Sequence, residues 1–359
     1  MRRTPGRAAP PALALFGAIL LVGATPQAKG PPDALEATTL LGFRYRVEPD
    51  ITFVNAGGWN GKLDVYLPIH PTGLSPTFVY FHGGGWVTGS KDQAVLEVLP
   101  YLAMGFAVVN VDYRLAQVAP APAAAEDCRC ALRWVFRHAE QYGLDPARVV
   151  VGGTSAGGHL ALLAAMAPAG AGLDRACPGN EALAVAAVVN FFGIVDVPDL
   201  LAGAHARDFA TGWFTGGRAD AGAISPELLA LARTLSPITY VRRHGPPVLT
   251  IHGDADPMVP YDHARRLAKA LDTAGVSNRL LTIRGGKHGD FGGADMVRSV
   301  LAVRQFLVTQ GILHPDLHPD LHPDLHPDSR SDSRSDSRSG SRSDSRSDSH
   351  PRLSSPVAP

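Results

Sequence analysis

The sequence predicts an α/β fold in which a mostly parallel sheet is covered by helices on both faces. Residues 33 to 312 alternate short apolar runs of strand length with segments of helical length and composition, the rhythm of repeated strand–helix units. Most of the apolar runs are nearly continuous rather than alternating, which suits parallel strands buried on both faces. The chain has 359 residues, 45% of them hydrophobic, enough for one large domain with a substantial core.

An early hairpin comes first. Ile51 to Val54 and Lys62 to Leu67 flank Asn60-Gly61, a strong tight-turn pair, so the sheet is expected to begin antiparallel with its turn there. Six further runs bring the expected strands to eight: Thr77 to Phe81, Phe106 to Val111, Arg148 to Gly152, Val185 to Phe192, Pro247 to Ile251 and Arg279 to Ile283. Helices are expected over Ala94 to Met104, Ala123 to Tyr142, Gly157 to Met166, Tyr261 to Ala274 and Ala294 to Thr309. Phe209 to Ser236 breaks the rhythm. It sets Phe209, Trp213 and Phe214 among glycines beside a short helical patch, and reads as a small lid-like insertion or pocket wall, with ordinary surface packing the plain alternative.

The flanks differ from this domain. Residues 1–28 read as a signal peptide: Arg2, Arg3 and Arg7 precede an apolar stretch from Ala12 to Ala24 that is short for a bilayer span, with small residues for cleavage near Ala24 or Ala28. Export to a secreted or periplasmic location is expected, with no stable membrane span after cleavage. An uncleaved anchor would still place the domain outside the cytoplasm. Residues 313–359 read as a disordered low-complexity tail, in which Leu-His-Pro-Asp repeats four times and gives way to Ser-Arg-Ser-Asp units. Proline at every fourth position forbids a helix, and the later units have no apolar residue to bury. The spaced His314, His318, His322 and His326 have the composition of a weak metal binder, but a repeat expansion without chemical consequence explains them as well.

A formal net charge of +0 gives no electrostatic reason to expect nucleic acid, and a neutral small-molecule partner fits better. Three cysteines cannot form a disulfide scaffold. Cys128 and Cys130 point different ways on one helix, so a single bridge would join Cys177 to one of them.

Four segments carry chemistry. Val149-Val150-Val151-Gly152-Gly153-Thr154-Ser155-Ala156-Gly157 places a serine between a buried strand and a helix, the context of a nucleophile elbow with the helix N-terminus aimed at the hydroxyl. A phosphate loop shares part of this spacing, but Gly158 and His159 stand where lysine and serine or threonine are required. His82-Gly83-Gly84-Gly85-Trp86 follows an apolar strand and offers bare backbone. Gly83 and Gly84, joined by Ala156, are the candidate N–H donors to the oxyanion of an acyl transfer, and His82 is read as bonding within its own loop. The strand Val248 to Ile251 ends in a turn carrying Asp254 and Asp256, either of which could orient a base. The strand Leu281 to Ile283 leads to His288 among glycines. Serine, then aspartate, then histidine, each after a strand, is the order such a site requires.

On these residues the chain resembles the α/β-hydrolase superfamily, specifically the branch of hormone-sensitive-lipase-like carboxylesterases and bacterial feruloyl-esterase-like (BD-FAE) proteins. Leu63-Asp64-Val65-Tyr66-Leu67-Pro68, Asp112-Tyr113-Arg114-Leu115 and Ser236-Pro237-Ile238 are further phrases of that branch. The resemblance covers roughly Thr38 to Gly311 and assigns the acid to Asp256, leaving Asp254 as a turn former. Ala116-Gln117-Val118-Ala119-Pro120-Ala121-Pro122 departs from the aromatic-bearing stretch usual there. What the resemblance implies is a serine carboxylic-ester hydrolase acting through Ser155, His288 and Asp256, without cofactor or metal, on a small-molecule ester. Trp86, Phe209, Trp213 and Phe214 are the expected pocket residues. An amidase of the same fold keeps the same residues. A catalytically silent binding module would be expected to lack one of them.

Overall fold

The computed structural model describes residues 39, 41–218 and 224–315. By its internal contacts the chain separates into residues 1–321 and 322–359, and the second unit lies outside the described residues, as do the expected signal peptide and all of the repeat tail beyond Pro315.

Eight strands form one sheet, in the order β1-β2-β4-β3-β5-β6-β7-β8. β1 (Tyr45–Ala56) and β2 (Trp59–Pro68) form the antiparallel hairpin, and β2 pairs antiparallel with β4 (Ala107–Val111). From β4 the sheet is parallel through β3 (Ser75–Phe81), β5 (Leu144–Thr154), β6 (Ala187–Phe191), β7 (Val248–Gly253) and β8 (Asn278–Ile283). The hairpin turn is Gly57-Gly58, both at positive φ (61° and 86°), and not Asn60-Gly61 as the sequence suggests. Two glycines adopt the paired left-handed conformation of a two-residue turn at least cost. Asn60 and Gly61 instead lie inside β2, opposite Asn55 and Val54. A Cβ on Gly61 would stand 2.8 Å from the rings of Phe53 and Trp59, so its bare face is covered by aromatic rings.

Strand alternation assigns the core to two faces. Val79, Phe81, Val109, Val149, Val151, Val188 and Val248 face α2 (Ala123–Arg137), α4 (Ala156–Met166) and α8 (Asp262–Ala274). Phe78, Tyr80, Val108, Val150, Val189, Leu249 and Ile251 face α1 (Val95–Ala103) and α9 (Gly292–Thr309). α8 buries His263, Ala264, Leu267 and Leu271 at helical spacing, as an amphipathic surface helix should. α4 is buried on nearly every side and is accordingly built of Gly, Ala and Leu. The helix expected over 123–142 is broken at His138: α2 ends there and α3 (Ala139–Tyr142) closes on Gly143 at φ 63°. The inserted region holds α6 (Asp208–Thr215) and α7 (Pro226–Thr234), preceded by α5 (Val197–Leu201), a single turn and more that the sequence reading passed over. Ser225 caps α7 by accepting from the Leu228 N–H.

Cys130 bonds Cys177, and Cys128 stays a buried thiol. Cys128 faces the main core, whereas Cys130 looks out toward Val54 and the 168–186 connection. Ile312 and Leu313 are both buried, so core packing runs one residue into the first repeat. Among the described residues no helix is long and apolar enough to cross a membrane.

Candidate active site

Ser155 sits between the end of β5 and the start of α4, at φ 55° and ψ −119°. This left-handed backbone is costly for a side-chain-bearing residue and persists because its neighbours fix it. The Ser155 N–H bonds Phe191 O at 2.9 Å, and the His159 N–H bonds Ser155 O at 3.0 Å. The flanking glycines make room: a Cβ on Gly153 would lie 2.2 Å from Phe81 O, and one on Gly157 1.9 Å from the same atom. The strain is on the serine, and the glycines allow the end of β3 to press against the turn.

Ser155 Oγ lies 2.9 Å from His288 Nε2, and His288 Nδ1 lies 2.7 Å from Asp256 Oδ2. A carboxylate only accepts, so Nδ1 carries the ring proton and Nε2 is bare toward the serine hydroxyl. The Asp256 side chain has no solvent exposure. Its Oδ1 accepts from the N–H groups of Met258 (2.8 Å) and Val259 (2.9 Å). His252 Nε2 donates to Val259 O at 3.0 Å and also stands 3.2 Å from Asp256 Oδ2. Burial pushes the Asp256 carboxyl up, but hydrogen bonds from His252 and His288, the charge of His288 and the Val259 N–H outweigh it and hold it well below the usual carboxylate range. Asp254 does a different job. It is exposed, and its Oδ1 accepts the Gly285 N–H at 2.6 Å, tying the β7 turn to the loop that carries His288. A Cβ on Gly253 would meet Gly286 O at 2.0 Å, so the two loops touch through backbone.

The glycine loop after β3 lies against this pair. A Cβ on Gly83 would stand 3.0 Å from Thr154 Oγ1 and 3.7 Å from Ser155 Cβ, and Gly84 has φ 113°. His82 Nδ1 bonds Gly83 O at 2.7 Å, its ring stacks on Tyr113 at 4.2 Å, and the Tyr113 hydroxyl donates to His82 O at 2.9 Å. Burial lowers His82 to about 4, opposed by its bond to the Gly83 carbonyl. It is a neutral brace for the loop. Ala156 is the first residue of α4 and is buried beside Ser155.

These residues open on a cavity of about 750 Å³ whose wall includes Gly83, Gly84, Gly85, Ser155 and His288. Of the four expected pocket aromatics, only Phe209 lines it. Trp86 and Trp213 are fully buried, stacked on each other at 4.3 Å. The Trp86 Nε1–H donates to His159 Nδ1 at 3.2 Å, and His159 Nε2 donates to Leu235 O at 2.7 Å. Burial lowers His159 to about 4, so it remains a neutral link. The indoles form a second layer behind the cavity because Trp86, at φ 63°, turns inward from the glycine loop. Phe214 packs edge-on against Trp213 at 5.2 Å, outside the cavity wall.

The wall is built instead from the two helices expected over 94–104 and 294–309, which the four aromatics do not include: Leu96, Pro100, Tyr101 and Met104 on and just after α1, Met296, Val300 and Val303 of α9, with Phe192 and Met258 from loops. Phe192 has φ 41°, and its ring meets His288 at 4.7 Å, edge to face. A signal was present in Leu96, which is exposed on a helix whose core face is Val98, Tyr101 and Leu102. An apolar residue off the buried stripe marks a surface that meets something else. Among the described residues no group of three or more His, Cys, Asp or Glu side chains is placed to hold a metal ion.

Residues 63–271, more than half of the chain, match the BD-FAE family, and residues 233–317 match the TAP-like protein family. The chain is similar to esterase LipC of Mycobacterium tuberculosis, 32% identical over 223 residues that cover 61% of this chain and 54% of LipC. It is similar in structure to a truncated carbohydrate esterase from gut microbiota, with TM-score 0.62 and 25% identity over 79% of this chain and 99% of that one. Esterase 2 of Thermogutta terrifontis superposes with TM-score 0.61 and 26% identity, over 76% of this chain and 95% of that one. A form of that esterase phosphorylated by paraoxon is also similar. The chain spans between half and two thirds of the length of LipC and of two other curated esterase relatives from the same organism.

Proposed function

The chain belongs to the BD-FAE family of the α/β-hydrolase superfamily, and on that premise we propose that it is a serine carboxylic-ester hydrolase with Ser155 as nucleophile, His288 as base and Asp256 as the acid that orients it. The observation that carries this is the unbroken hydrogen-bonded line from Ser155 Oγ through His288 to Asp256, at the edge of a largely apolar cavity.

His288 Nε2 takes the Ser155 proton as Oγ adds to the ester carbonyl carbon. Charge builds on the carbonyl oxygen, where the N–H groups of Gly83, Gly84 and Ala156 receive it. His288, now doubly protonated, gives its proton to the departing alkoxide as the tetrahedral intermediate collapses to an acyl-serine. Water, deprotonated by the same Nε2, then releases the acid. Asp256 accepts the Nδ1–H throughout, which fixes the tautomer and stabilises the imidazolium. The apolar wall from α1 and α9 suits an ester with a hydrocarbon or aromatic portion, of the feruloyl or short-acyl kind. The Cys130–Cys177 disulfide and the composition of residues 1–28 both favour an exported enzyme.

Paraoxon tests the assignment directly. One equivalent of p-nitrophenolate should be released, with a diethylphosphoryl group on Ser155 by peptide mass spectrometry. The Ser155→Ala chain should take none and should lose roughly 10⁶-fold in kcat on p-nitrophenyl butyrate. Label on another residue, or an active Ser155→Ala chain, overturns the proposal. A panel of p-nitrophenyl esters of rising length, with methyl ferulate and acetylated xylan, reads out the acyl class.

A further inference from the structure

The cavity beside Ser155 contains a carboxylate that the proposed chemistry does not use. Glu97 stands on α1 among Leu96, Pro100 and Tyr101, side chains that leave the surrounding wall largely apolar. Its Oε2 accepts a hydrogen bond from the Tyr80 hydroxyl and another, at 3.2 Å, from Thr154 Oγ1. Thr154 immediately precedes the nucleophile, so the carboxylate is anchored one residue from the reacting serine. Both donors are neutral hydroxyls that fix its position without a countercharge, and among the described residues no lysine or arginine lines the cavity. Its field reaches the neighbouring rings: burial first, then the charge of Glu97, pushes up the phenols of Tyr80 and Tyr101.

The two arms of a bound ester are not equivalent here. The leaving oxygen must receive a proton from His288, so the alcohol portion departs on the β8 side of Ser155. With the oxyanion held at the glycine loop, the acyl portion has the remainder of the cavity, whose wall includes Glu97.

We infer that Glu97 sets the acyl preference of this site: it favours an acyl chain bearing a positive charge or a hydrogen-bond donor and disfavours one bearing a carboxylate. The inference rests on the ester-hydrolase reading above. Repulsion between Glu97 and an acyl carboxylate acts in a cavity where little else compensates it, while an ammonium or hydroxyl gains a partner there. Glu97 keeps access to solvent, which limits the effect to about one to two orders of magnitude.

Three methyl esters of similar length test this on the full chain, with acid release followed at constant pH: methyl ε-aminocaproate, methyl heptanoate and monomethyl adipate. In the unaltered protein kcat/KM for the amino ester should exceed that for the adipate half-ester by roughly tenfold or more, and added salt should narrow the gap. In Glu97→Gln the ratio should fall toward one. A ratio at or below one in the unaltered protein overturns the inference without any variant. An unchanged ratio in Glu97→Gln also overturns it, including the case in which all three esters slow in proportion, because Glu97 would then merely support Thr154. Failure of the ester-hydrolase reading has a different signature: no turnover of any ester and no paraoxon label, which removes both proposals together.

Discussion

At the Ser155 corner, Ser155, His288 and Asp256 sit on loops that leave the C-terminal ends of β5, β8 and β7, and backbone groups fix much of their placement. Across the cavity, the wall is side chains standing on α1 and α9. Asp256 shows the first kind of construction: two backbone N–H groups and two imidazoles converge on a carboxylate with no exposure. Val300 and Met296 show the second, with hydrocarbon facing a void and Met296 in part facing solvent. Reaction type therefore depends on geometry that tolerates almost no change, whereas substrate preference depends on side-chain volume and charge that can be altered one residue at a time.

The sharpest test of that contrast sets the two aspartates of the β7 turn against each other. Asp256→Asn should lower kcat by roughly 10⁴-fold, because the amide holds the wrong imidazole tautomer or leaves Nδ1–H without its acceptor. Asp254→Asn keeps an acceptor for the Gly285 N–H and should cost less than about tenfold. Equal losses in the two variants would erase the distinction drawn between them.

The supporting layer behind the corner should show itself in acid. His82, His159 and His263, the last of which accepts the Val195 N–H at Nδ1 (3.1 Å) and donates from Nε2 to Asp199 (3.0 Å), are each lowered from 6.5 to about 4, in every case with burial as the largest cause. The unfolded chain takes up protons at these groups below pH 6.5 while the folded chain does not, so their contribution is fully present above pH 6.5. It is lost as pH falls toward 4, by roughly 3 kcal/mol for each histidine. Urea unfolding at stepped pH should show stability falling across that window, and His159→Gln should fall less steeply, by about one proton. A flat profile between pH 6.5 and 4 would remove the neutral-brace account of these residues.

The smallest effect belongs to the wall. Val300→Phe should cut kcat/KM on p-nitrophenyl octanoate by roughly tenfold while leaving the acetate within about threefold, since added volume obstructs only what reaches α9. Equal losses on both esters would mean that α9 bears on the reacting groups and not only on substrate size.

Much of this was legible in the chain itself. The order of the elements, the parallel sheet and the candidate reacting residues were readable because strand burial, glycine clearance and helix N-termini impose local patterns. Gly153 and Gly157 had to be glycine because Phe81 O passes within contact distance of where a Cβ would stand. The contact itself, though, spans more than seventy positions of sequence. Other features were undecidable locally. Asn60-Gly61 has turn chemistry as good as that of Gly57-Gly58, and only the pairing register of β1 with β2 placed the turn at the earlier pair. Cys128 and Cys130 lie on the same helix, and their partnership with Cys177 depended on which face met the core.

The aromatic residues show the boundary most clearly. Sequence identified Trp86, Phe209, Trp213 and Phe214 as large and close to the glycine loop or its insertion, which is true, but size does not say which way a ring points. Packing against His159 drew both tryptophans inward, and the cavity passed to α1 and α9. The sequence by itself determined the fold and the kinds of residue able to react, because those depend on periodicity and on short motifs with one low-strain conformation. Only the tertiary structure decided which aspartate meets His288, which cysteine meets Cys177 and which side chains bound the cavity, because each is a contact between residues far apart in the chain.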